Sequence, residues 1–551
     1  MSEEKKAARS LAGIAGIVAV ATLISKVFGL VRQVAIAAAF GVGPAFDAYN
    51  YAYVIPGFLL ILLGGINGPF HSAIVSVLAK RDKEETGPLV ETINTLVTSL
   101  LLLVTIALVI FADPLMTLVA PGLNITEAQA LAEGMTPENF QALQVTKDIA
   151  VEQFRIMAPL AMLAGLIGIG FGTLNASDQY WLPSISPLFS SVALIGAIGI
   201  LALDLGSQIT SPEYALLGGR VLAWGTLAGA ILQWLMQLIA QWRSGLGTLR
   251  LRFEFNRPGV KDVIKVMAPA TLSSGMLHIN VYTDLWFASF IPQAAAALGY
   301  AGLLVQTPLG IMSNMLLVPL MPVFSRLTDP QDWPELKDRI RQGLVLTGLT
   351  MWPLGILMIV LAVPIVRVVY ERGAFNSEAS KFVAPMLMAY GVGMFFYLGR
   401  DVIVRVFYAL GDGETPFRVS VANIVLNGVL DYFCIQGFGA PGLVLATVGV
   451  NIVSMVVLLW LLNKKLNGLP LLSWSGAIAS LTGASLVAGA ASWGILLGTE
   501  KLLGTDGFVA IVLQLSLAGL GGLAVFGLIA TQLKLEEVDI FVDRVRQKLG
   551  R

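Results

Sequence analysis

A chain of 551 residues that is 56% apolar and only 13% charged, with a mean hydropathy of +0.79, is not a string of soluble domains. Its 35 basic and 35 acidic residues cancel, which removes the overall positive field expected of a nucleic-acid binder. A single cysteine, Cys434, excludes a disulfide framework and a cysteine-based metal centre.

A membrane-spanning helix needs roughly 20 mostly apolar residues, and runs of that kind follow one another along the whole chain. The polar, basic stretch 1–9 leads into a run too long and too poorly bounded for a cleaved signal peptide, so it is read as leading into the first span. Spans are expected near 10–40, 46–79, 88–113, 149–176, 182–204, 212–242, 260–290, 295–325, 336–369, 379–410, 415–436, 439–463, 472–497 and 507–533. The fold class is therefore an all-α polytopic membrane protein of about fourteen transmembrane helices. An even count puts both termini on one side. Lys5, Lys6, Arg9, Lys80, Arg81, Arg243, Arg250, Arg257, Arg326, Lys464, Lys465 and Arg551 share that side, whereas the opposite loops carry little beyond Lys147, Arg372, Lys381 and Lys501. The excess of Lys and Arg places both termini in the cytoplasm. The tail 534–551 alternates Leu535, Val538, Phe541 and Val545 with charges, which suits either a helix on the membrane surface or a solubilising tail.

Two segments echo each other at an offset of about 250 residues: Ala21 to Ser25 with Pro56 downstream, and Ala270 to Ser274 with Pro308 downstream. A second echo pairs Ala158-Pro159-Leu160 with Ala384-Pro385-Met386, each followed by a loop holding an Asp and then a Pro. Together they suggest two pseudo-repeated six-helix lobes, 1–242 and 243–465, followed by a C-terminal helix pair at 466–533 and the tail 534–551. Internal repeats of this kind are common in transporters that alternate access between two lobes.

An ionisable side chain in the hydrocarbon costs at least about 2.5–3.5 kcal/mol on insertion scales, so each one marks a cavity, a partner or an interface. Lys26 and Arg32 lie in the first span and Asp47 opens the second; a cavity or an interface would accommodate them. Asn427 and Asp431 are four apart, on one helix face. With Asp284 and Thr447 they offer the all-oxygen donor set a hard cation takes, although a polar cluster joining helices would use the same residues. Arg400 and Arg405 fit snorkelling near a helix end, and His71 and His278 stand alone, as polar packing residues do. No Walker loop, HExxH, nucleophile elbow or Rossmann fingerprint is present, so an enzyme is not expected.

The segments Ser25-Lys26-Val27-Phe28-Gly29-Leu30-Val31-Arg32, Phe40-Gly41 with Asp47-Ala48, Ala120-Pro121-Gly122, Leu174-Asn175, Tyr370-Glu371-Arg372-Gly373-Ala374-Phe375, and Phe407 to Asp412 running into Thr415-Pro416 together resemble the MurJ (MviN) family of lipid II flippases. That family belongs to the multidrug/oligosaccharidyl-lipid/polysaccharide (MOP) exporter superfamily. The resemblance implies two six-helix lobes around a cationic cavity for an undecaprenyl-diphosphate-linked peptidoglycan precursor, with the last two helices forming a groove for the lipid tail. It also implies substrate contacts at Lys26, Arg32, Asp47, Asn67 and Asn175. A sodium site would use Asp284, Asn427, Asp431, Thr447 and the backbone carbonyl of Leu443; a transported proton is the other coupling expectation. The chain departs from the family pattern with Leu60 and Gly302-Leu303 at positions commonly charged, Gln33 and Asn67 at positions commonly acidic, and Lys26 in place of Arg.

These features imply a monomeric flippase of the bacterial inner membrane, working by alternating access and serving the cell-wall machinery. An exporter of another polyprenyl-linked glycan or of amphiphilic drugs, and a cell-wall scaffold that no longer transports, are the competing readings.

Overall fold

The structure is a computed structural model and describes residues 3–65, 69–78, 83–132, 134–257, 259–265, 267, 279–505, 507–535 and 537–538. Every regular element among the described residues is helical. Lipid offers no hydrogen bonds, so an apolar chain in it satisfies its backbone internally, and a helix does so within one segment.

The first unit, Met1–Ala296 with Arg372–Phe375, contains α1 (Glu3–Phe40), α2 (Pro44–Gly64), α3 (Pro69–Leu78), α4 (Lys83–Ile110), α5 (Ala112–Val119), α6 (Glu127–Ala132), α7 (Pro137–Met157), α8 (Leu160–Ala176), α9 (Trp181–Leu205), α10 (Ala215–Arg243) and α11 (Ile279–Ala288). Its core is built around α8, against which α2, α3 and α4 all pack, while α9 lies between α1 and α10. Glycines on α8 permit this closeness: a Cβ at Gly168 would collide with the carbonyl of Leu63 on α2.

The second unit, Ala297–Glu371 with Asn376–Arg551, holds most of α12 (Ala294–Ser325), then α13 (Trp333–Val360), α14 (Ala362–Tyr370), α15 (Ser377–Ala409), α16 (Glu414–Phe438), α17 (Ala440–Lys465), α18 (Leu471–Leu503) and α19 (Phe508–Gln532). Here α13 packs on α15 and α18, α17 on α15 and α16, and α18 on α19.

Twelve of the described helices are long and apolar enough to cross a membrane, and α7 with α8, bent by 42° between them, passes the same test as a pair, which as one span would be a thirteenth. The remaining expected span, near 260–290, is described at both ends, helical at 260–265 and again in α11, while 266 and 268–278 lie outside the described residues. Helix breaks within the expected spans follow proline chemistry. The expected ninth span, 336–369, is interrupted at Leu361, because Pro364 has no N–H for the carbonyl of Val360. The end of the third span breaks in the same way at Phe111, ahead of Pro114. The starts of α4 and α5, and the break between them, match those of α13 and α14 at a constant offset of 250 residues. The expected second span, 46–79, is likewise not one helix: α2 ends at Gly64, and Gly65 is extended.

The second sequence echo has a backbone counterpart too. At the end of α8, Gln179 N–H donates to the Leu174 carbonyl with Asp178 at φ +59°; at the end of α15, Asp412 N–H donates to the Phe407 carbonyl with Gly411 at φ +73°. Both are helix stops closed by a left-handed residue. In the described part of the tail, Arg341 pairs with buried Glu537 at 2.7 Å and Val538 is buried against the α13, α18 and α19 core.

Candidate functional site

Arg32 lies on α1, eight residues before its end, and is partly buried. Tyr49 and Tyr53 lie on α2, the helix that follows α1. These tyrosines are one helical turn apart and stack with ring centroids 5.5 Å apart, and Tyr49 is held by Thr226 of α10 at 3.0 Å. The Nε of Arg32 is buried and has no hydrogen-bond partner among the described residues. A cation placed in a span with an unused donor is poised to take an acceptor, and guanidinium is suited to phosphate oxygens. Lys26 is exposed on the same helix, one and two-thirds turns earlier, with no ion pair among the described residues.

Asp47 has a different environment. It is buried in the first turn of α2, and its carboxylate accepts from Gln293 N at 3.1 Å and Ala296 N at 2.9 Å. Gln293 sits at φ +68° just ahead of α12, so Asp47 closes the amino-terminal turn of that helix from outside it. Asn175, at the end of α8, lies 2.7 Å from His71 Nε2 on α3. The Asn175 Oδ1 and the His71 Nδ1 are both buried without a partner among the described residues. Asn67 lies outside the described residues.

In the second unit, Asn427 and Asp431 are buried on α16, and Asn427 Nδ2 donates to Asp431 Oδ2 at 2.8 Å. On α17, Leu443 is buried one turn before partly buried Thr447, whose carbonyl accepts from Asn451. Asp284 lies on α11 of the first unit and is partly exposed. A fully buried carboxylate beside an amide fits a monovalent cation in donor type, since every side-chain ligand offered is oxygen. Among the described residues no group of three His, Cys, Asp or Glu could hold a metal ion.

Arg400 is partly buried polar packing within the second unit: Nε donates to Ser454 at 3.0 Å and Nη2 to Ser420 at 3.3 Å. Arg405 donates to the Leu317 carbonyl on α12, the helix that carries Pro308, Pro319 and Pro322. Sequence spacing gave no sign of either contact. Elsewhere in the second unit, a cavity of about 370 Å³ is bounded by α12, α13 and α19 and lined by Met312, Met315, Leu354, Leu523, Phe526 and Val538. Its walls are almost wholly apolar side chains, suited to a hydrocarbon chain.

A profile of the family described as lipid II flippase MurJ matches residues 36–514. The chain belongs to the MurJ family. A Synechocystis protein described as a probable lipid II flippase MurJ is 57% identical over 551 residues, covering 100% of each chain. The Burkholderia cenocepacia lipid II flippase MurJ is 28% identical and covers 86% of this chain and 88% of its own. Among solved structures, a lipid II flippase MurJ in an inward closed conformation superposes with a TM-score of 0.71 at 21% identity, covering 97% of this chain and 99% of that one. A multidrug resistance MATE transporter of the MOP superfamily, inward-facing, gives 0.55 at 16% identity with 84% and 96% coverage. At these identities the two structures establish the shared fold.

Several MurJ-like motifs meet in the first unit. The Gly373-Ala374 turn docks on the end of α1, with Ala374 N–H donating to the Ala38 carbonyl at 2.8 Å. A Cβ on Gly373 would collide with that carbonyl, and one on Gly41 would lie 2.6 Å from the Ala374 oxygen. Gly122 fits equally tightly against Ser289, whose hydroxyl accepts from Gly122 N at 2.9 Å. Gly41, Gly122 and Gly373 are thus needed for backbone contact as well as for turns.

Proposed function

We propose that this chain is a flippase carrying undecaprenyl-diphosphate-linked peptidoglycan precursor, lipid II, from the cytoplasmic to the outer leaflet of the bacterial inner membrane. Family membership over nearly the whole chain supports the substrate class. The observation that carries the mechanism is Arg32, a guanidinium in a span with a buried, unused Nε–H. In this reading Arg32 and the nearby charge of Lys26 hold the diphosphate, and Asn175 with His71 offers neutral polar contacts to the headgroup. Asn67 is kept as a substrate contact. The apolar cavity beside α19 takes the polyprenyl chain.

The lobes 1–242 and 243–465 alternate access about the headgroup site, while 466–533 guides the lipid. Asp47 holds the first turn of α12, and its release accompanies opening. Sodium at Asp284, Asn427, Asp431, Thr447 and the Leu443 carbonyl, or a proton on one carboxylate, biases the return. The membrane potential assists as well: each charge crossing 100 mV is worth about 2.3 kcal/mol, and a negative headgroup moving outward runs with an inside-negative potential. Both termini lie in the cytoplasm, the working unit is a monomer, and cell-wall synthases consume the product.

The test is complementation of a strain depleted of its essential lipid II flippase. Wild type restores growth and relieves precursor accumulation, whereas Arg32→Ala at matched membrane levels does not. Failure of well-expressed wild type would move the substrate to another polyprenyl-linked glycan.

A further inference from the structure

The segment that leaves α10, residues 244–257, has no role in the site described above. It reads Thr248-Leu249-Arg250-Leu251-Arg252-Phe253-Glu254-Phe255, a strict alternation of polar and apolar residues, and it is neither helix nor paired strand. Its polar edge is fixed to α4. Glu91 accepts from Thr248 N at 3.0 Å, from the Thr248 hydroxyl and from Arg252 Nε at 2.6 Å, and Thr95 Oγ1 accepts from Arg252 N at 3.0 Å. Arg250 N is taken by the Thr248 hydroxyl at 3.3 Å. Gly87 and Gly247 pack backbone to backbone beneath this edge. The N–H groups of Thr248, Arg250 and Arg252 on the polar edge therefore all have protein partners.

The opposite edge is open. Leu249, Leu251, Phe253 and Phe255 are 55%, 70%, 68% and 38% exposed, and the two phenyl rings meet edge to face at 6.0 Å. The level of this edge is marked by Trp181 at the start of α9 and Trp242 at the end of α10, both exposed, as interfacial aromatics are. Gln179 and Ser244 join the same two helix ends at 2.8 Å. Arg243, Arg250, Lys261 and Lys265, all exposed, flank or interrupt the strip along the chain. Of the acids there, Glu254 is already shared by Arg252 and Arg257, and Asp262 is the other.

We infer that this segment is a membrane-interface anchor: its Leu and Phe edge enters the acyl region while Arg243 and Arg250 bind the headgroup of anionic phospholipid. Charge complementarity selects the occupant, since each Lys or Arg at an anionic surface strengthens binding about fivefold. The connection between α10 and the following helices would then be held at the bilayer surface, and the protein would respond to the anionic lipid content of that leaflet.

The test uses full-length protein carrying Cys434→Ser and Leu251→Cys, labelled with an environment-sensitive fluorophore and reconstituted in nanodiscs. The label is expected to be quenched by phospholipid with brominated acyl chains and shielded from aqueous iodide. Brominated phosphatidylglycerol should quench more strongly than brominated phosphatidylcholine at equal content, and Arg243→Gln with Arg250→Gln should abolish that preference while leaving the lipid quenching. Iodide quenching without lipid quenching places the edge in water, and silence to both places it under protein; either result overturns the anchor. Equal quenching by the two lipids overturns the anionic preference. Leu249→Cys serves the same purpose should the first labelled variant not fold, and the readout is independent of which substrate the protein carries.

Discussion

At the scale of residues, Arg32, Asp47 and Asp412 separate by surroundings. Arg32 retains an unused donor, so Arg32→Ala should remove a charge-assisted contact of about 1.5–3 kcal/mol, a loss of about tenfold or more in lipid II translocation by proteoliposomes. Arg32→Lys should recover part of it as a point charge without the fork. Asp47 has its carboxylate filled by backbone amides, so Asp47→Ala should act first on stability, lowering it by about 0.5–2 kcal/mol in thermal unfolding, as loss of a helix cap does. Asp412, in the loop before α16, is also held, by Lys465 at 2.6 Å and by Thr415 N at 3.0 Å. Burial alone would raise its pKa; the Lys465 and Thr415 hydrogen bonds outweigh that and hold it below the ordinary 3.8. Its contribution is therefore complete above that ordinary value and is lost as pH falls through the lowered one. The difference in thermal stability between wild type and Asp412→Asn should be present at neutral pH and close below pH 3.8.

At the scale of elements, close packing rather than side-chain chemistry explains several of the MurJ-like motifs. Gly373 combines φ +59° with contact against the Ala38 carbonyl, so a side chain is resisted by backbone conformation and by space together. Gly373→Ala should separate the 372–375 turn from the end of α1 and lower thermal stability by about 1–3 kcal/mol, the range of overpacked sites. Faster hydrogen exchange confined to residues 38–41 and 372–375 would confirm that the damage is local. The breaks at Phe111 and Leu361 show the same logic repeated. Each places a proline as the third residue of the following short helix, and together they carry the 250-residue offset. That offset was visible in the sequence between Ala21 to Ser25 and Ala270 to Ser274, although the second of these lies outside the described residues. What the sequence did not reveal was that α2 ends at Gly64: with glycines adjacent at 64 and 65 amid apolar residues, hydropathy continues while the helix does not.

At the scale of the whole molecule, the distribution of Lys and Arg leads to a topological prediction. Cysteines placed at either terminus in a Cys434→Ser background should be blocked by a membrane-permeant thiol reagent and spared by an impermeant one in intact cells. Labelling of both termini from outside would invert the proposed orientation while leaving the helix count intact. Composition and spacing alone determined that the chain lives in lipid, that its apolar runs number about fourteen, and that it carries a repeat, because hydrophobic length and backbone satisfaction are local demands that each segment meets by itself. The motif spacing was enough to place it beside MurJ proteins. Only the tertiary structure distinguished the polar residues from one another. Arg32 and Arg400 are both cations in apolar runs, yet one retains an unused donor and the other is engaged by Ser454 and Ser420. Which of those happens depends on what a neighbouring helix, often far away in the chain, brings within 3 Å, and no local pattern carries that information.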